Sequence, residues 1–330
     1  MRLPADRGPI TAHLFPALAG PPGEPVSLPS PAGPSLHDGD LQLALFACYE
    51  LHYRGFEEVD ERWEWDPGLL RARAELERHL DDALAEAVPR PRPVPPGEVR
   101  RALAGLCADG DGPFSRHLRR AATLDQFREF VAHRSIYHLK EADPHSWAIP
   151  RLHGRAKAAL VEIQADEYGG GRPERMHSEL FRATMRGLGL DDAYGAYVDR
   201  VPGITLAVSN VMSLFGLHRR RRGALAGHLA ALEMTSSLPN RRYAAGLRRL
   251  GGDAAAALFY DEHVQADAVH EQVAAHDLCG GLAAAEPALT GDILYGAACA
   301  LTVDRLWAEH VMDRWERGEP SLEPAGHLVA

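Results

Sequence analysis

The chain has 330 residues, of which 45% are hydrophobic and 25% are charged, and its formal net charge is −10. This composition is typical of a globular protein with a sizeable core. The acidic balance excludes a general binder of nucleic acid or anionic membranes, because such proteins attract phosphate with surplus Lys and Arg. We interpret the basic run at 219–222 as solvent-exposed, with pairing to an anionic substrate as the alternative.

The cysteines are too far apart in sequence to form a Cys-x-x-Cys pair or a dense disulfide framework, which favours a reducing cytoplasm; they are Cys48, Cys107, Cys279 and Cys299. The N-terminal segment lacks the apolar core of a secretory signal, and no run of 18 apolar residues occurs. We therefore expect a cytoplasmic protein without membrane or nucleic-acid partners. A homodimer stays open as its oligomeric state.

The chain divides into three parts by composition. Residues 1–39 are rich in Pro and Gly and predict a disordered arm. Residues 40–318 predict one helical domain, interrupted at 88–97 by a linker whose prolines enforce an extended backbone. Residues 319–330 predict a C-terminal tail.

Within the domain few segments alternate with period two, so we predict an all-α fold of about nine or ten helices. The clearest helical segments, in chain order, are LQLALFACYELHYRGF, DPGLLRARAELERHLDDALAEAV, TLDQFREFVAHRSIYHLKEA, PRLHGRAKAALVEIQADEY, PERMHSELFRATMRGLG, TLAVSNVMSLFGL, RGALAGHLAALEMTSS, FYDEHVQADAVHEQVAAHDL and DILYGAACALTVDRLWAEHVMDRWERG.

A candidate metal site lies in the segment FYDEHVQADAVHEQ. His263, Asp267 and His270 are spaced four and then three residues apart, so on a helix they fall within roughly 60° of arc. With 17 His and 46 Asp plus Glu, such a pattern arises by chance on the order of 0.1 times in this chain. Two imidazoles and one carboxylate on one helix face indicate metal binding.

Four further residues are candidate ligands: Glu141, Glu167, His177 and Glu233. Taken singly, each is typical of a surface group or a satisfied core histidine. Glu233 is less ordinary, because it follows the apolar run LAAL and a buried carboxylate needs a cation or hydrogen-bond donors. Glu174 forms a Glu-x-x-His pair with His177 and is an alternative to Glu167, since di-iron bundles use that spacing.

Together these seven residues resemble the haem-oxygenase-like di-iron oxidases and oxygenases, a family of iron-containing redox enzymes. The resemblance runs from about residue 40 to 315 and is strongest in YHLKEADPHSWAIPRL, EIQADEYGGGRPERMHSELF, LEMTSS and FYDEHVQADAVHEQ. It implies a helical bundle without haem that holds two irons. It also implies that Glu233 is the bridging or shared carboxylate, and that Glu141 is the extra carboxylate of the N-oxygenase branch.

The resemblance implies an enzyme that uses two Fe(II)/Fe(III) ions and O2 as co-substrate. Mixed imidazole and carboxylate ligands suit iron, whereas thiolates would indicate zinc or an iron–sulfur cluster. Electrons must come from an external reductant, because the chain has no G-x-G-x-x-G dinucleotide fingerprint. One of the arginines Arg241, Arg242, Arg248 and Arg249 is a candidate for binding a substrate carboxylate.

The predicted function is oxygenation of a small metabolite, and N-oxygenation of an amine or amino-acid-like substrate is the preferred reaction. Oxidative C–C cleavage of a fatty or amino acid by the same site is the first alternative. The second is a non-catalytic helical protein that binds a ligand or a partner. The third is a hydrolase with one zinc on the face of His263, Asp267 and His270, although the surplus of carboxylates argues against it.

Overall fold

The computed structural model describes residues 1–108 and 112–324, apart from the side chains of Asp267 and Ala268. This part of the chain is helical and contains no strand, which confirms the predicted all-α class. None of its helices combines the length and the apolar character that crossing a membrane requires.

The α-helices are α1 (Pro9–Leu18), α2 (Gly39–Glu50), α3 (Pro67–Ala87), α4 (Val99–Cys107), α5 (Pro113–Arg120), α6 (Leu124–His138), α7 (Asp143–Ser146), α8 (Gly154–Glu167), α9 (His177–Gly187), α10 (Gly203–Leu217), α11 (Arg222–Thr235), α12 (Ser237–Arg249), α13 (Ala254–Gln272), α14 (Gly281–Ala285) and α15 (Thr290–Glu316). A π-helical segment, Val273–Gly280, joins α13 to α14. There are more helices than predicted, because segments as short as α7 and α14 contain too few turns to show a helical period.

The N-terminal region differs from the predicted disordered arm. Helix α1 packs on α2, and its residues Ile10, Leu14 and Leu18 are at most 2% exposed. The carboxylate of Asp40 accepts hydrogen bonds from the backbone N–H groups of Ile10 and Thr11, at 2.7 and 2.9 Å. The prediction was wrong for this segment because its apolar residues, spaced four apart, form a buried face that the high Pro and Gly content concealed.

The linker and the tail also have defined positions. Residues 89–95 form no regular secondary structure, and a short 3₁₀ turn, Pro96–Glu98, leads into α4. Beyond α15, Ser321 is buried, and its N–H and hydroxyl donate to Glu129 at 2.7 and 2.5 Å. The described part of the tail therefore packs against α6, whereas residues 325–330 lie outside the described range.

Helices α11 and α15 cross with almost no space between their backbones. A Cβ atom added at Gly227 would overlap with the carbonyl oxygen of Ile293, and one added at Gly296 would overlap with that of Ala224. Both glycines are therefore required for this crossing. It determines where α11, which carries Glu233, lies relative to α15.

This crossing predicts a strong effect of one added methyl group. We expect Gly227→Ala or Gly296→Ala to lower the free energy of unfolding by about 3 kcal/mol, the upper end of the usual cost of overpacking. Gly105→Ala in α4 is the control, because no atom lies within 4 Å of the added Cβ. We expect it to be neutral or to stabilise by up to about 1 kcal/mol. Equal urea midpoints for the three variants would contradict the steric argument.

Candidate metal centre

Six of the seven predicted ligands lie together in two overlapping groups, and four of them, Glu141, Glu167, Glu233 and His263, line one cavity. They come from the turn after α6 and from four helices, as Glu141, Glu167 of α8, His177 of α9, Glu233 of α11, and His263 and His270 of α13. Their donor atoms form two groups, and within each group these atoms lie within 4.8 Å of one another. The backbone of Asp267 belongs to α13, but its side chain lies outside the described residues.

The first group contains Glu141, Glu167, His177 and His263. His177 Nδ1 lies 2.8 Å from Glu167 Oε2, and His263 Nε2 lies 3.6 Å from Glu141 Oε1. The two imidazole rings are 4.4 Å apart between centroids. Two carboxylates and two imidazoles thus face a common point from four different parts of the chain.

The second group contains Glu167, Glu233 and His270, with His270 Nδ1 3.4 Å from Glu233 Oε2. Glu167 belongs to both groups, whereas the resemblance had implied that Glu233 is the shared carboxylate. One carboxylate with two oxygens at the junction of two ligand groups is suited to bridging two cations. Among the described residues, Glu167 is the carboxylate common to both groups.

The local backbone explains how Glu167 and His177 meet. The three glycines 169–171 follow α8, with φ values of 67°, 60° and 78°, a region that favours glycine. At Gly169 a Cβ would also collide with the backbone of Arg175. The chain therefore reverses tightly, so that the last residue of α8 faces the first residue of α9.

The segment that carries Glu141 is held in a strained conformation. Ala142 has φ 75°, although it has a side chain and is 1% exposed. Gln164 of α8 donates from Nε2 to the carbonyl oxygen of Ala142 at 2.7 Å. A non-glycine residue in this region costs about 1–3 kcal/mol and persists only where its surroundings enforce it. Here the strained turn directs Glu141 toward the first ligand group.

Hydrogen-bond partners outside the two ligand groups fix which imidazole nitrogen faces each group. His263 Nδ1 donates to the carbonyl oxygen of Phe259 at 2.8 Å, which leaves Nε2 as the acceptor that faces Glu141. His270 Nε2 lies 3.0 Å from Asp166 Oδ2, which leaves Nδ1 toward Glu233. Imidazole ligands of metals commonly donate their other N–H to a carbonyl or carboxylate in this way.

The sequence analysis missed two of the supporting residues. Asp166 precedes Glu167 in the sequence, and His138 lies three residues before Glu141 and approaches it with Nδ1 at 2.9 Å from Oε1. The His138 and Glu141 spacing was a usable signal, because residues three apart share a helix face. Asp166 gave no such signal, because its partner His270 belongs to a helix that is far away in the sequence. In the structure the side chain of Asp166 is 63% exposed.

The donor atoms themselves test whether a cation fits. Glu141 Oε2 is buried without a hydrogen-bond partner, and the buried His177 Nδ1 and His270 Nδ1 have only ion-pair contacts, with Glu167 Oε2 and Glu233 Oε2, that lack hydrogen-bond geometry. Leaving such a group unsatisfied typically costs about 1–3 kcal/mol, and more for a charged one. Each of these atoms belongs to a residue of a ligand group. Cations at the two groups would satisfy all three atoms, so the residues fit a pair of metal ions.

The structure separates the remaining alternatives for the ligand set. Glu174 lies in an exposed 3₁₀ turn that ends before α9, so it does not share a helix face with His177 and joins neither group. This arrangement favours Glu167. His263 and His270 belong to different groups, which does not fit one zinc ion held on their common face.

The cavity beside the ligand groups has a volume of about 170 Å³. Its wall includes ligand residues at one side and apolar side chains such as Met212, Leu229 and Leu232. Tyr137 and Tyr260 also line it. Arg241, Arg242, Arg248 and Arg249 were candidates for binding a substrate carboxylate. None of them is among the described residues that line the cavity.

The pKa of His270 predicts how metal binding depends on pH. Burial alone would lower this pKa, but the carboxylates of Glu233 and Asp166 outweigh burial and raise it to about 9. A cation at Nδ1 must displace a proton, so we expect the Mn(II) affinity to rise by up to about tenfold per pH unit from pH 7 to 9. Calorimetry under argon measures this slope.

Asp166→Asn removes one of the groups that raise this pKa, so the rise should end at a lower pH. Glu162→Gln, an exposed change on the same helix, should keep the slope of the unaltered protein. A Mn(II) affinity that does not change between pH 7 and 9 would show that His270 does not bind the cation. The same pH dependence in both variants would show that Asp166 does not raise the pKa of His270.

Comparison with known proteins agrees with an iron site. The family model described as "Iron-containing redox enzyme" matches residues 128–305, which is more than half of the chain and includes every described ligand. A nitrosourea synthase from Streptomyces achromogenes subsp. streptozoticus is 28% identical over 138 residues, which cover 41% of this chain and 29% of that protein. The chain belongs to the iron-containing redox enzyme family.

Proposed function

We propose that this protein is a non-haem di-iron enzyme that uses O2 and an external reductant to oxygenate the nitrogen of an amine or amino-acid-like metabolite. The observation that carries the proposal is the position of Glu167 between two adjacent ligand groups. A single-metal site needs no shared carboxylate, whereas two ions a few ångströms apart are commonly held by carboxylates from several helices of a bundle. The family supports an oxidoreductase that contains iron.

Each residue of the site would have a specific role. Glu141, Glu167, His177 and His263 would hold one ion, and Glu167, Glu233 and His270 the other. When bound, iron supplies the redox chemistry with O2. The apolar residues of the cavity wall would keep water from the reacting groups, and the bonds from His263 to Phe259 and from His270 to Asp166 would keep the imidazoles oriented.

Two observations favour nitrogen as the atom that is oxygenated. Glu141 is part of the first ligand group, as expected for the carboxylate-rich N-oxygenase branch. The matched relative is named for the synthesis of a nitrosourea, a compound with an oxidised nitrogen. The alignment covers less than a third of that protein. Its activity therefore supports a reaction class and no particular substrate.

The test is an anaerobic Fe(II) titration of the metal-free protein, followed by rapid mixing with O2 while visible absorption is recorded. We expect about two Fe(II) per chain and a transient absorption band. Glu167→Gln removes a carboxylate oxygen donor from both groups and should abolish the band and weaken both binding events. Glu233→Gln should weaken one binding event and leave the other.

Glu162→Gln is the matched control, because it makes the same chemical change at an exposed position of α8. Binding of a single Fe(II), or equal iron binding by Glu167→Gln and Glu162→Gln, would contradict the di-iron site. Turnover of amines and amino acids is then followed by mass spectrometry. A product that gains one oxygen on nitrogen supports N-oxygenation, whereas a shortened carbon chain would establish oxidative C–C cleavage in its place.

A further inference from the structure

The cavity contains one pair of charged side chains that the metal centre does not use. Among the described residues that line it, Arg134 is the only Lys or Arg. The lining carboxylates are Glu141, Glu167, Glu233 and Asp304, and the first three belong to the ligand groups. Arg134 and Asp304 are thus a separate cation and anion on the wall of the same cavity.

The pair is held in a fixed position. Arg134 Nη2 donates to Asp304 Oδ1 at 2.6 Å, which joins α6 to α15. The guanidinium also lies over the ring of Trp307, 3.8 Å from its centroid, and Trp307 is 1% exposed. The side chains of Arg134 and Asp304 are 19% and 45% exposed, so a molecule in the cavity can reach both. Stacking orients the guanidinium before any ligand arrives.

The pair and four residues of the ligand groups line the same cavity. Arg134 lies four residues before His138 on α6 and so on the same helix face, about 6 Å along the axis. His138 in turn contacts Glu141 of the first ligand group. Phe130, Leu229 and Leu232 supply apolar surface around the same cavity. The cavity therefore has a charged pair, an apolar wall and a metal-binding side.

We propose, on the basis of the proposed function, that Arg134 binds the α-carboxylate and Asp304 the α-ammonium group of an α-amino acid whose side chain extends toward the metal centre. A guanidinium has five N–H donors and matches a carboxylate with two parallel bonds. The single bond to Asp304 leaves donors of Arg134 for such a contact.

Charge balance distinguishes an amino acid from a simple carboxylic acid. Arg134 and Asp304 neutralise each other, so a zwitterion with one charge of each sign gives each side chain an opposite charge to contact. A fatty acid would bring its carboxylate close to Asp304 without an ammonium group for Asp304 to contact, and like charges in a partly buried site repel strongly. A simple amine would leave Arg134 without a new partner.

The test measures ligand binding by calorimetry on the full chain, both metal-free and with Mn(II) under argon. The probes are L-lysine and L-arginine, their decarboxylated forms cadaverine and agmatine, and decanoate. We expect Arg134→Gln to weaken L-lysine and L-arginine by at least about tenfold, the effect of losing one bidentate charged contact. Binding of cadaverine and agmatine should not weaken, because Arg134→Gln leaves the carboxylate of Asp304 without its paired cation.

Two further variants complete the design. Asp304→Asn keeps the stacking of Arg134 on Trp307 and should weaken the amino acids while it strengthens decanoate. Arg305→Gln is the control, because Arg305 forms an exposed ion pair with Glu309 and does not line the cavity. Thermal melts of all variants show whether each is folded, and Asp304→Asn tests the proposal independently if Arg134→Gln is unstable.

The proposal is overturned if no amino acid binds the unaltered protein at millimolar concentration. It is also overturned if Arg134→Gln and Arg305→Gln bind amino acids equally, or if decanoate binds through Arg134 while the amino acids do not. Amino-acid binding that depends on Arg134 in a protein that binds no metal would overturn the proposed function alone. Normal iron binding with unchanged amino-acid affinity in the variants would overturn the amino-acid site alone.

Discussion

The burial of three carboxylates in one place is the constraint on which this structure depends. Glu141, Glu167 and Glu233 are each at most 9% exposed. Buried charges are strongly unfavourable unless opposite charges and hydrogen bonds compensate them. The raised pKa of His270 shows part of this compensation, since a protonated imidazole neutralises one carboxylate. Cations at the two groups would add to this compensation, so metal binding would stabilise this region.

Helix α2 supports the turn that carries Glu141. Lys140 precedes Glu141, and its ammonium lies 3.0 Å from Glu50 of α2, with both side chains at most 1% exposed. Tyr194 donates to the other oxygen of Glu50 at 2.7 Å. Removing either member of such a pair leaves an uncompensated buried charge. The pair thus fixes the Glu141 segment from outside, while the strained Ala142 backbone directs it inward.

Sequence reasoning reached the helical class and the identity of the ligand candidates because both leave local signals. The spacing of His263 and His270 is visible along one helix, and the resemblance supplied Glu141, Glu167 and His177. The shared position of Glu167 was not predictable, because it depends on how α8, α11 and α13 cross. The buried helix α1 was missed because composition over 39 residues averaged its apolar face with the prolines around it.

Helix α13 supplies one imidazole to each ligand group. His263 belongs to one group and His270 to the other, two helical turns apart on the same face. The regular helix ends at Gln272, two residues beyond His270, and continues as a π-helical segment, Val273–Gly280. Such segments are rare and occur frequently at functional sites, because the wider turn shifts the direction of the side chains. The π-helical segment packs on α8 and α11, the helices that carry Glu167 and Glu233, so a displacement of α13 would change both ligand groups together.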